Sequence, residues 1–257
     1  MGRKHAQAGP AGRLDEALVE RGLCASREQA KRAVLAGRVR INGQLARKPS
    51  DSTRLADQLE LVAPERFVSR GGFKLEHALD HFQVEVQGRT AIDLGASTGG
   101  FTDCLLQRGA AKVYAVDVGQ GQFAWKLRCD PRVVVMEKTN ARNLTPAGFP
   151  APFLPVDLIV IDCSFISLRK ILPAAVALRS VSGKIIALIK PQFEAGKAEA
   201  DRGAGVIRDP AVHQRILSEL SEFVAGLTGV CWRGVIESPI LGPAGNKEFL
   251  VLLESVG

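Results

Sequence analysis

The chain has 257 residues and a formal net charge of +7, and 46% of its residues are hydrophobic and 24% are charged. This balance is typical of a globular protein, and no apolar run approaches the roughly 20 residues that a membrane-spanning helix needs. The basic N-terminus also lacks the apolar segment of a secretion signal. We therefore expect a cytoplasmic protein that has no membrane partner.

Five cysteines are scattered along the chain, and none of them forms a C-x-x-C pair. An odd and widely spaced set is typical of small, reduced core residues and does not indicate disulfides or a metal centre. We therefore expect no metal cofactor. The sequence does not indicate an oligomeric state.

The first quarter of the chain carries most of the excess positive charge. Residues 1–60 contain 12 Lys and Arg against 7 Asp and Glu, whereas the rest of the chain contains 22 against 20. A basic domain most often faces nucleic acid, because neutralising phosphates releases counterions. A solvated basic surface without a partner is the alternative. Residues 1–12 lack any periodicity, and we expect them to form a flexible tail.

Two short helices and a hairpin are predicted next. Leu14 and Leu18 lie on one helical face, and Ser26 with Gln29 forms a capping box ahead of a second helix. The Asn42-Gly43 pair, which follows alternating residues, indicates a hairpin. Basic side chains can gather on this unit, and the candidates for nucleic-acid contacts are Arg13, Arg27, Lys31, Arg32, Arg38 and Arg40.

The segment RLDEALVERGLCASREQAKRAVLAGRVRINGQ resembles a small RNA-binding module that is named after a ribosomal small-subunit protein. The resemblance covers about residues 13–62 and implies that the helices and the hairpin grip structured RNA through phosphate and shape contacts. No aromatic residue lies in this segment, so base stacking is not the expected mode of binding. We expect an RNA-binding domain at 13–62 and a linker at 63–68.

Strands and helices alternate in the rest of the chain, after a helix predicted for FKLEHALDHF. The predicted strands are residues 91–95, 112–118, 133–137, 157–162, 184–190, 230–237 and 248–254. This alternation predicts an α/β domain over residues 69–257, built on a doubly wound, seven-stranded, Rossmann-like sheet. The short connection between the last two strands favours an antiparallel pair.

The stretch AIDLGASTGGFTD, residues 91–103, predicts a nucleotide-type site. Its glycines let a ligand approach the backbone at the carboxyl end of a buried strand, and both common phosphate-binding fingerprints are absent. Asp117 follows the next strand, where such folds hold a ribose. S-adenosylmethionine fits this pattern, with Asp93 near its amino-acid end. A tight turn with structural glycines is the alternative.

Charged residues stand at the ends of three apolar strands. Asp162 and Lys190 each close a strand, and Glu248 opens the last one. Lys74 lies on the helix ahead of the sheet. Each charge alone is consistent with a side chain that reaches out to solvent from the end of a strand. Together, beside the glycine loop, they predict a site.

Seven motifs behind the RNA-binding module carry a second resemblance, and in chain order they are RGGFKLEHAL, DLGASTGGFTDCLL, VYAVDVGQGQ, EKTNAR, LIVIDCSFISL, LIKPQFEAG and GNKEFL. They resemble the hemolysin A (TlyA) family of ribosomal-RNA methyltransferases, whose catalytic half is similar to the FtsJ-like 2′-O-methyltransferases. The resemblance implies methyl transfer from S-adenosylmethionine to the ribose 2′-hydroxyl of cytidine, with ribosomal RNA or ribosomal subunits as the partner.

The resemblance also implies roles for individual residues. Lys74, Asp162, Lys190 and Glu248 match the Lys-Asp-Lys-Glu tetrad of ribose 2′-O-methylation. We expect Lys190 to act as the base or to orient the hydroxyl. The expected cofactor contacts are Asp93, Gly95, Ala96, Ser97, Gly99, Gly100, Phe101, Asp117 and Asn140.

Several alternatives stay open at this point. Asn140 either reads the adenine edge or caps a turn. The segment 194–208 is either a lid, an RNA-contacting loop or a disordered surface loop. Phe67 stands where the linker of the family often has Trp, which questions a coupling role of the linker. A non-catalytic ribosome-assembly factor and a membrane-lytic hemolysin are the alternative functions, although no amphipathic stretch supports lysis.

Overall fold

The computed structural model describes residues 12–63, 65–196, 199 and 203–256. The chain forms two compact units, which divide between Arg66 and Phe67. The predicted tail lies outside the described residues except for Gly12. Gly12 pairs with Thr53 in a short antiparallel ladder, so the assignment of this residue to the tail is wrong.

The first unit contains two helices and five short strands. They are α1 (Leu14–Glu20), α2 (Arg27–Leu35), β1 (Gly12–Arg13), β2 (Val39–Ile41), β3 (Gln44–Leu45), β4 (Ser52–Thr53) and β5 (Leu59–Leu61). Strand β2 lies between β3 and β5 and is antiparallel to both. Apolar side chains of α1, α2 and β2 pack together and give this unit its own core.

Local sequence signals explain where these elements begin and turn. Ser26 Oγ accepts a hydrogen bond from the Gln29 amide at 3.2 Å, and the Gln29 side chain accepts one from the Ala25 amide at 2.7 Å. Asn42 and Gly43 have φ values of 52° and 78°, the left-handed conformation that a two-residue hairpin turn requires. The predicted start of α2 and the predicted hairpin are both present.

The second unit alternates helices and strands along a single sheet. Its helices are α3 (Gly71–His81), α4 (Gly100–Gln107), α5 (Trp125–Arg128), α6 (Leu172–Leu178), α7 (Pro191–Glu194) and α8 (Pro210–Ala225). Its strands are β6 (Thr90–Leu94), β7 (Lys112–Val116), β8 (Val133–Met136), β9 (Val156–Ile161), β10 (Arg179–Ile189), β11 (Val230–Glu237) and β12 (Phe249–Ser255). Apolar cores cover both faces of the sheet.

The sheet has the order β11-β12-β10-β9-β6-β7-β8, and among these strands β12 alone runs antiparallel to the other six. The predicted doubly wound, seven-stranded fold and the antiparallel pairing of the last two strands are thereby confirmed. The chain proceeds from β6 to β7 on one side and later returns to β9 on the other. This reversal places the topological switch point between β6 and β9, where such sheets open a ligand crevice.

Phe67 marks the beginning of the second unit. Its ring is 1% exposed and packs edge-on against Phe73 at a centroid distance of 5.0 Å. The ring also occupies the space that a Cβ atom on Gly72 would need. Phe67 is therefore a core residue of the second unit, and the predicted linker at 63–68 extends too far at its C-terminal end.

Candidate active site

A cavity of about 720 Å³ opens in the second unit at the carboxyl edge of the parallel strands. Residues from six segments line it: Ser69, Arg70, Gly71, Lys74, Gly95, Ala96, Ser97, Thr98, Gly100, Phe101, Asp162, Ser164, Phe165, Lys190, Gln192, Phe193, Gly205, Pro243, Ala244, Asn246 and Glu248. The cavity lies at the switch point of the sheet, which is where the sequence predicts a ligand.

The reversed direction of β12 brings one of the predicted charges to this cavity. Ile189 is paired with Phe249 in the antiparallel ladder of β10 and β12, so Lys190 and Glu248 flank the same edge of the sheet. Glu248 accepts a hydrogen bond from Lys74 Nζ at 2.5 Å through Oε2. The two side chains are 0% and 8% exposed, so they form a buried ion pair.

A second ion pair lies on the neighbouring strands. Lys190 Nζ is 2.6 Å from Asp162 Oδ1 and donates a hydrogen bond to Ser164 Oγ at 2.8 Å. Asp162 follows β9 directly and Lys190 follows β10 directly, so the parallel pairing of these strands explains the contact. The structure thus brings all four predicted tetrad residues to one cavity, where two ion pairs balance their charges.

The glycine loop between β6 and α4 forms another wall. Gly95 has a φ of 86°, and a Cβ atom there would lie 2.7 Å from the Asp162 carbonyl oxygen. Asp117 holds the loop in place, because its carboxylate accepts a hydrogen bond from the Ser97 amide at 2.8 Å. The same carboxylate accepts one from the Gly119 amide at 2.6 Å. Among the predicted cofactor contacts, the cavity is lined by Gly95, Ala96, Ser97, Gly100 and Phe101.

Asp93 does not line the cavity, contrary to its predicted place near the amino-acid end of a ligand. It is fully buried, and its Oδ2 accepts a hydrogen bond from Thr102 Oγ1 at 2.6 Å. Its Oδ1 has no hydrogen-bond partner among the described residues. Burial raises the pKa of this carboxyl to about 7, the Thr102 hydroxyl opposes the rise, and the charges of Asp162 and Asp117 add to it.

Three further predicted contacts also lie outside the cavity lining. Gly99 has a φ of 99° at the start of α4 and packs against Leu127. Asp117 lies behind the glycine loop as described. Asn140 is exposed and accepts a hydrogen bond from the Arg142 amide at 3.0 Å, so the capping alternative describes it.

Two of the predicted basic residues in the first unit have acidic partners. Arg13 binds Asp15 through two hydrogen bonds, at 3.0 and 3.2 Å, and Arg27 contacts Asp15 at 3.2 Å and Glu16 at 3.0 Å. These contacts, led by the Arg13 hydrogen bond, hold the pKa of the Asp15 carboxyl below its usual range. Because Asp15 is fully buried, Arg13 and Arg27 serve the fold of the unit as well as its charge.

The other four basic residues differ in how they are held. Arg38 and Arg40 each donate a hydrogen bond to a carbonyl oxygen of their own unit, at 3.0 and 3.1 Å. Lys31 and Arg32 of α2 form no ion pair or side-chain hydrogen bond with any residue that the structure describes. Their charges are therefore the ones most available to a partner.

Comparison with known proteins identifies the family. A family model described as FtsJ-like methyltransferase matches residues 67–255. The chain belongs to this family. A second model, the S4 domain, matches residues 12–59.

Relatives extend the match over nearly the whole chain. A candidate rRNA methyltransferase of Bacillus subtilis, YqxC, is 50% identical over 95% of this chain and 86% of its own. The 16S/23S rRNA (cytidine-2′-O)-methyltransferase TlyA of Mycobacterium tuberculosis is 47% identical over 95% of this chain and 90% of its own. The predicted membership of the hemolysin A (TlyA) family is thereby confirmed.

Solved structures agree with the fold. A hemolysin-named protein of Streptococcus thermophilus has a TM-score of 0.71 at 45% identity and covers 97% of this chain and 90% of its own. A candidate S-adenosylmethionine-dependent methyltransferase of Listeria monocytogenes has a TM-score of 0.53 at 16% identity, covering 73% of this chain and 99% of its own. The distant match shows that the second unit has a methyltransferase fold.

Two features are absent from the described residues of this protein. None of its described helices is both long and apolar enough to cross a membrane. No described cluster of three His, Cys, Asp or Glu side chains is arranged to hold a metal ion.

Several cavity residues are not among the site residues predicted from the sequence. Ser164 and Phe165 lie inside the motif LIVIDCSFISL, and Gln192 and Phe193 lie inside LIKPQFEAG, so the motifs themselves were the available signal. The missed cavity residue Asn246 is 1% exposed. It accepts a hydrogen bond from the Ile207 amide and donates one to the Gly205 carbonyl, both at 2.8 Å.

The segment 194–208, with its three alternatives of a lid, an RNA-contacting loop and a disordered loop, is only partly described. Residues 197, 198 and 200–202 lie outside the described residues. Its first residue, Glu194, accepts hydrogen bonds from Ser167 Oγ at 2.6 Å and from the Leu168 amide at 2.7 Å. Burial raises the pKa of the Glu194 carboxyl. Near the end of the segment, Gly205 and Ile207 are hydrogen-bonded to Asn246, which lines the cavity.

Proposed function

We propose that this protein transfers a methyl group from S-adenosylmethionine to the ribose 2′-hydroxyl of cytidine in ribosomal RNA. The observation that carries the proposal is the meeting of Lys74, Asp162, Lys190 and Glu248 as two ion pairs in one cavity beside the glycine loop. The M. tuberculosis relative is named as an rRNA (cytidine-2′-O)-methyltransferase, which supports this substrate class.

The residues of the cavity fit S-adenosylmethionine. Gly95 and Gly100 line the cavity without side chains. Packing of the loop requires glycine at both positions, since a Cβ at Gly95 would meet the Asp162 carbonyl and one at Gly100 would lie 3.1 Å from the Gly72 nitrogen. The first N–H groups of α4 lack helical partners and suit a carboxylate. Asp117 follows β7 and accepts a hydrogen bond from the Ser97 amide, so it supports the loop that forms the cavity wall and does not itself line the cavity. Asp93 accepts a hydrogen bond from Thr102 of α4 and does not line the cavity, so it does not contact the ligand directly.

Lys190 holds and deprotonates the acceptor hydroxyl in this proposal. Its nitrogen lies 2.6 Å from Asp162 Oδ1 and donates a hydrogen bond to Ser164 Oγ at 2.8 Å, and Lys190 lines the cavity that the hydroxyl enters. Bound S-adenosylmethionine would supply a methyl group on a sulfonium, and the acceptor oxygen would displace the thioether as it takes that methyl group. The hydroxyl proton passes to the Lys190 amine after that amine has released its own ion-pair proton to solvent, and the Asp162 carboxylate stabilises the ammonium that is restored.

Lys74 and Glu248 fix the other wall of the site. Their pair at 2.5 Å ties α3 to the start of β12, so the acceptor meets a rigid surface. General-base assistance contributes roughly 10²- to 10⁴-fold, and alignment of the two reactants can contribute more. Positioning therefore accounts for much of the proposed catalysis.

We assign RNA docking to the domain at residues 13–62 and catalysis to residues 69–257. The unpaired charges of Lys31 and Arg32 support docking on phosphates. A ribosomal-RNA substrate also supports a cytoplasmic location for the protein.

The test is methyl transfer from tritiated S-adenosylmethionine to ribosomal subunits from cells that lack the protein. Lys190→Ala should lower incorporation about 100-fold or more. The matched control is Lys184→Ala, which removes a lysine from the same strand whose partner is Glu254, away from the cavity. Equal incorporation by wild type and Lys190→Ala would contradict the role of Lys190. A wild type that binds subunits without transferring methyl would support the assembly-factor alternative.

A further inference from the structure

Five charged side chains line the cavity among the described residues, and four of them cancel. Lys74 pairs with Glu248, and Lys190 pairs with Asp162. The fifth is Arg70, which is exposed and forms no ion pair or side-chain hydrogen bond with any described residue. The cavity therefore carries one uncompensated positive charge.

Arg70 lies between the tetrad and the glycine loop. It stands at the start of α3, four residues and about one turn before Lys74. Its neighbour Gly71 faces the loop, because a Cβ atom on Gly100 would lie 3.3 Å from the Gly71 Cα. The guanidinium can thus reach an anion that enters with either the acceptor or the methyl donor.

The acceptor brings such an anion with it. The 2′-hydroxyl of an RNA residue is attached to the carbon next to the one that carries the 3′-phosphate, so a ribose held at Lys190 places a phosphate in the cavity. The paired lysines have no free charge for it, whereas a guanidinium binds phosphate through two parallel hydrogen bonds. We propose that Arg70 binds the phosphate on the 3′ side of the target ribose. This inference rests on the proposed function.

The carboxylate of the methyl donor is the competing anion. It has another partner in the cavity, because the N-terminal N–H groups of α4, at Gly100 and Phe101, line the wall and lack partners within the helix. Arg70 is left for the phosphate. A substitution of Arg70 should therefore weaken RNA binding and leave donor binding unchanged.

The experiment measures binding of ribosomal subunits and of S-adenosylhomocysteine by Arg70→Ala, Arg70→Lys and Arg89→Ala. Arg89 precedes β6 at the opposite edge of the sheet, so its variant removes the same charge away from the cavity. Arg70→Ala should weaken subunit binding on the order of tenfold. It should also reduce the slope of log K against log salt by about 0.7, the value of one phosphate contact on a single strand. Arg70→Lys should keep the slope, and Arg89→Ala should behave as wild type.

Three results would overturn the inference. One is equal subunit binding and equal salt slopes for Arg70→Ala and Arg89→Ala. Another is a loss of S-adenosylhomocysteine affinity in Arg70→Ala with unchanged subunit binding, which would assign Arg70 to the donor carboxylate. The third is a global loss of structure in Arg70→Ala, seen by circular dichroism together with failure of Arg70→Lys to restore binding. Absence of methyl transfer by wild type, with the binding effects intact, would refute only the proposed function.

Discussion

Lys190 and Glu248 flank the paired residues Ile189 and Phe249, so two strands that run in opposite directions deliver opposite charges to the same edge of the sheet. In a fully parallel sheet the start of β12 would lie at the far edge. The antiparallel strand is therefore what completes the tetrad, because it brings the Glu248 carboxylate to Lys74 on α3.

The Lys74–Glu248 pair should show strong energetic coupling. Lys74→Met or Glu248→Gln alone leaves the partner without its counter-charge in a buried position, which typically costs about 3–5 kcal/mol, whereas the double variant removes both charges. A double-mutant cycle from urea unfolding measures the coupling. The Lys184–Glu254 pair, at 2.6 Å between half-buried side chains of β10 and β12, is the control and should couple by less than about 1 kcal/mol. Equal coupling in both cycles would show that burial of the first pair has no energetic consequence.

Ser164 should act as a positioning residue for Lys190. Ser164→Ala removes the hydrogen bond at 2.8 Å and frees the amine to rotate, so kcat should fall about tenfold while the KM for S-adenosylmethionine stays within about twofold. Ser164→Thr keeps a hydroxyl and should restore most of kcat. Ser255→Ala, at the far end of β12, is the control. A rise in KM with unchanged kcat would indicate instead that Ser164 contacts the donor.

Much of the second unit follows from sequence patterns, since apolar runs give every strand and Asp209 marks the start of α8 with a side-chain bond to the Ala211 amide. The predicted strand at 184–190 nevertheless begins at Arg179. Its polar first residues form an irregular ladder that the Arg179 guanidinium holds by donating to the carbonyls of Ser180 and Val181. The pattern of apolar residues does not predict hydrogen bonds from a long side chain such as Arg179 to the backbone.

The site was less predictable than the fold for a similar reason. Residue type and position located Asp162 and Lys190, because charges at strand ends must lie near the crevice. The same argument placed Asp93 near a ligand, but only packing decides that its carboxyl is buried against Thr102. Asn140 is a further case, since cap and ligand contact use the same side-chain oxygen.

Asn246 should anchor residues 203–208, of which Gly205 lines the cavity. Its buried amide satisfies the Ile207 N–H and the Gly205 carbonyl, so Asn246→Ala leaves two backbone groups without partners and should destabilise the protein by about 1–3 kcal/mol. Limited proteolysis should then cut at residues 203–208 faster than in wild type. Asn246→Asp keeps the acceptor for the Ile207 amide but loses the donor and introduces a buried carboxylate, so it should destabilise the protein at least as much as Asn246→Ala. Unchanged cleavage in Asn246→Ala would show that other contacts hold the segment.

Lys31 and Arg32 should dominate docking by the first unit. Replacing both with Glu should weaken subunit binding and lower the salt slope by up to about 2, while S-adenosylhomocysteine affinity stays unchanged. The control exchanges the two types of cation, as Lys31→Arg with Arg32→Lys, and should bind as wild type. Arg27→Ala should mainly lower stability, because it removes a partner of the buried Asp15. A larger binding loss in Arg27→Ala than in the double reversal would place the RNA contact at Arg27 instead.

Asp93 should make the stability of the protein depend on pH in an unusual direction. Burial raises its folded-state pKa to about 7, whereas the unfolded chain titrates near its ordinary value of about 4. Between these values the folded protein keeps a proton that the unfolded chain has released, so the free energy of unfolding falls as pH rises through this window and levels off above it. Asp93→Asn keeps an acceptor for Thr102 and removes the titration.

The measurement is urea unfolding of wild type and Asp93→Asn from pH 5 to pH 8. The variant should gain stability relative to wild type across this range, by on the order of a few kcal/mol at pH 8, because each unit of pKa shift corresponds to about 1.4 kcal/mol. Titrations elsewhere in the protein cancel in the comparison, since both proteins share them. A constant difference at all pH values would mean that Asp93 is ionised throughout, and its unpartnered Oδ1 would then need a cation or a bound donor group to stabilise it.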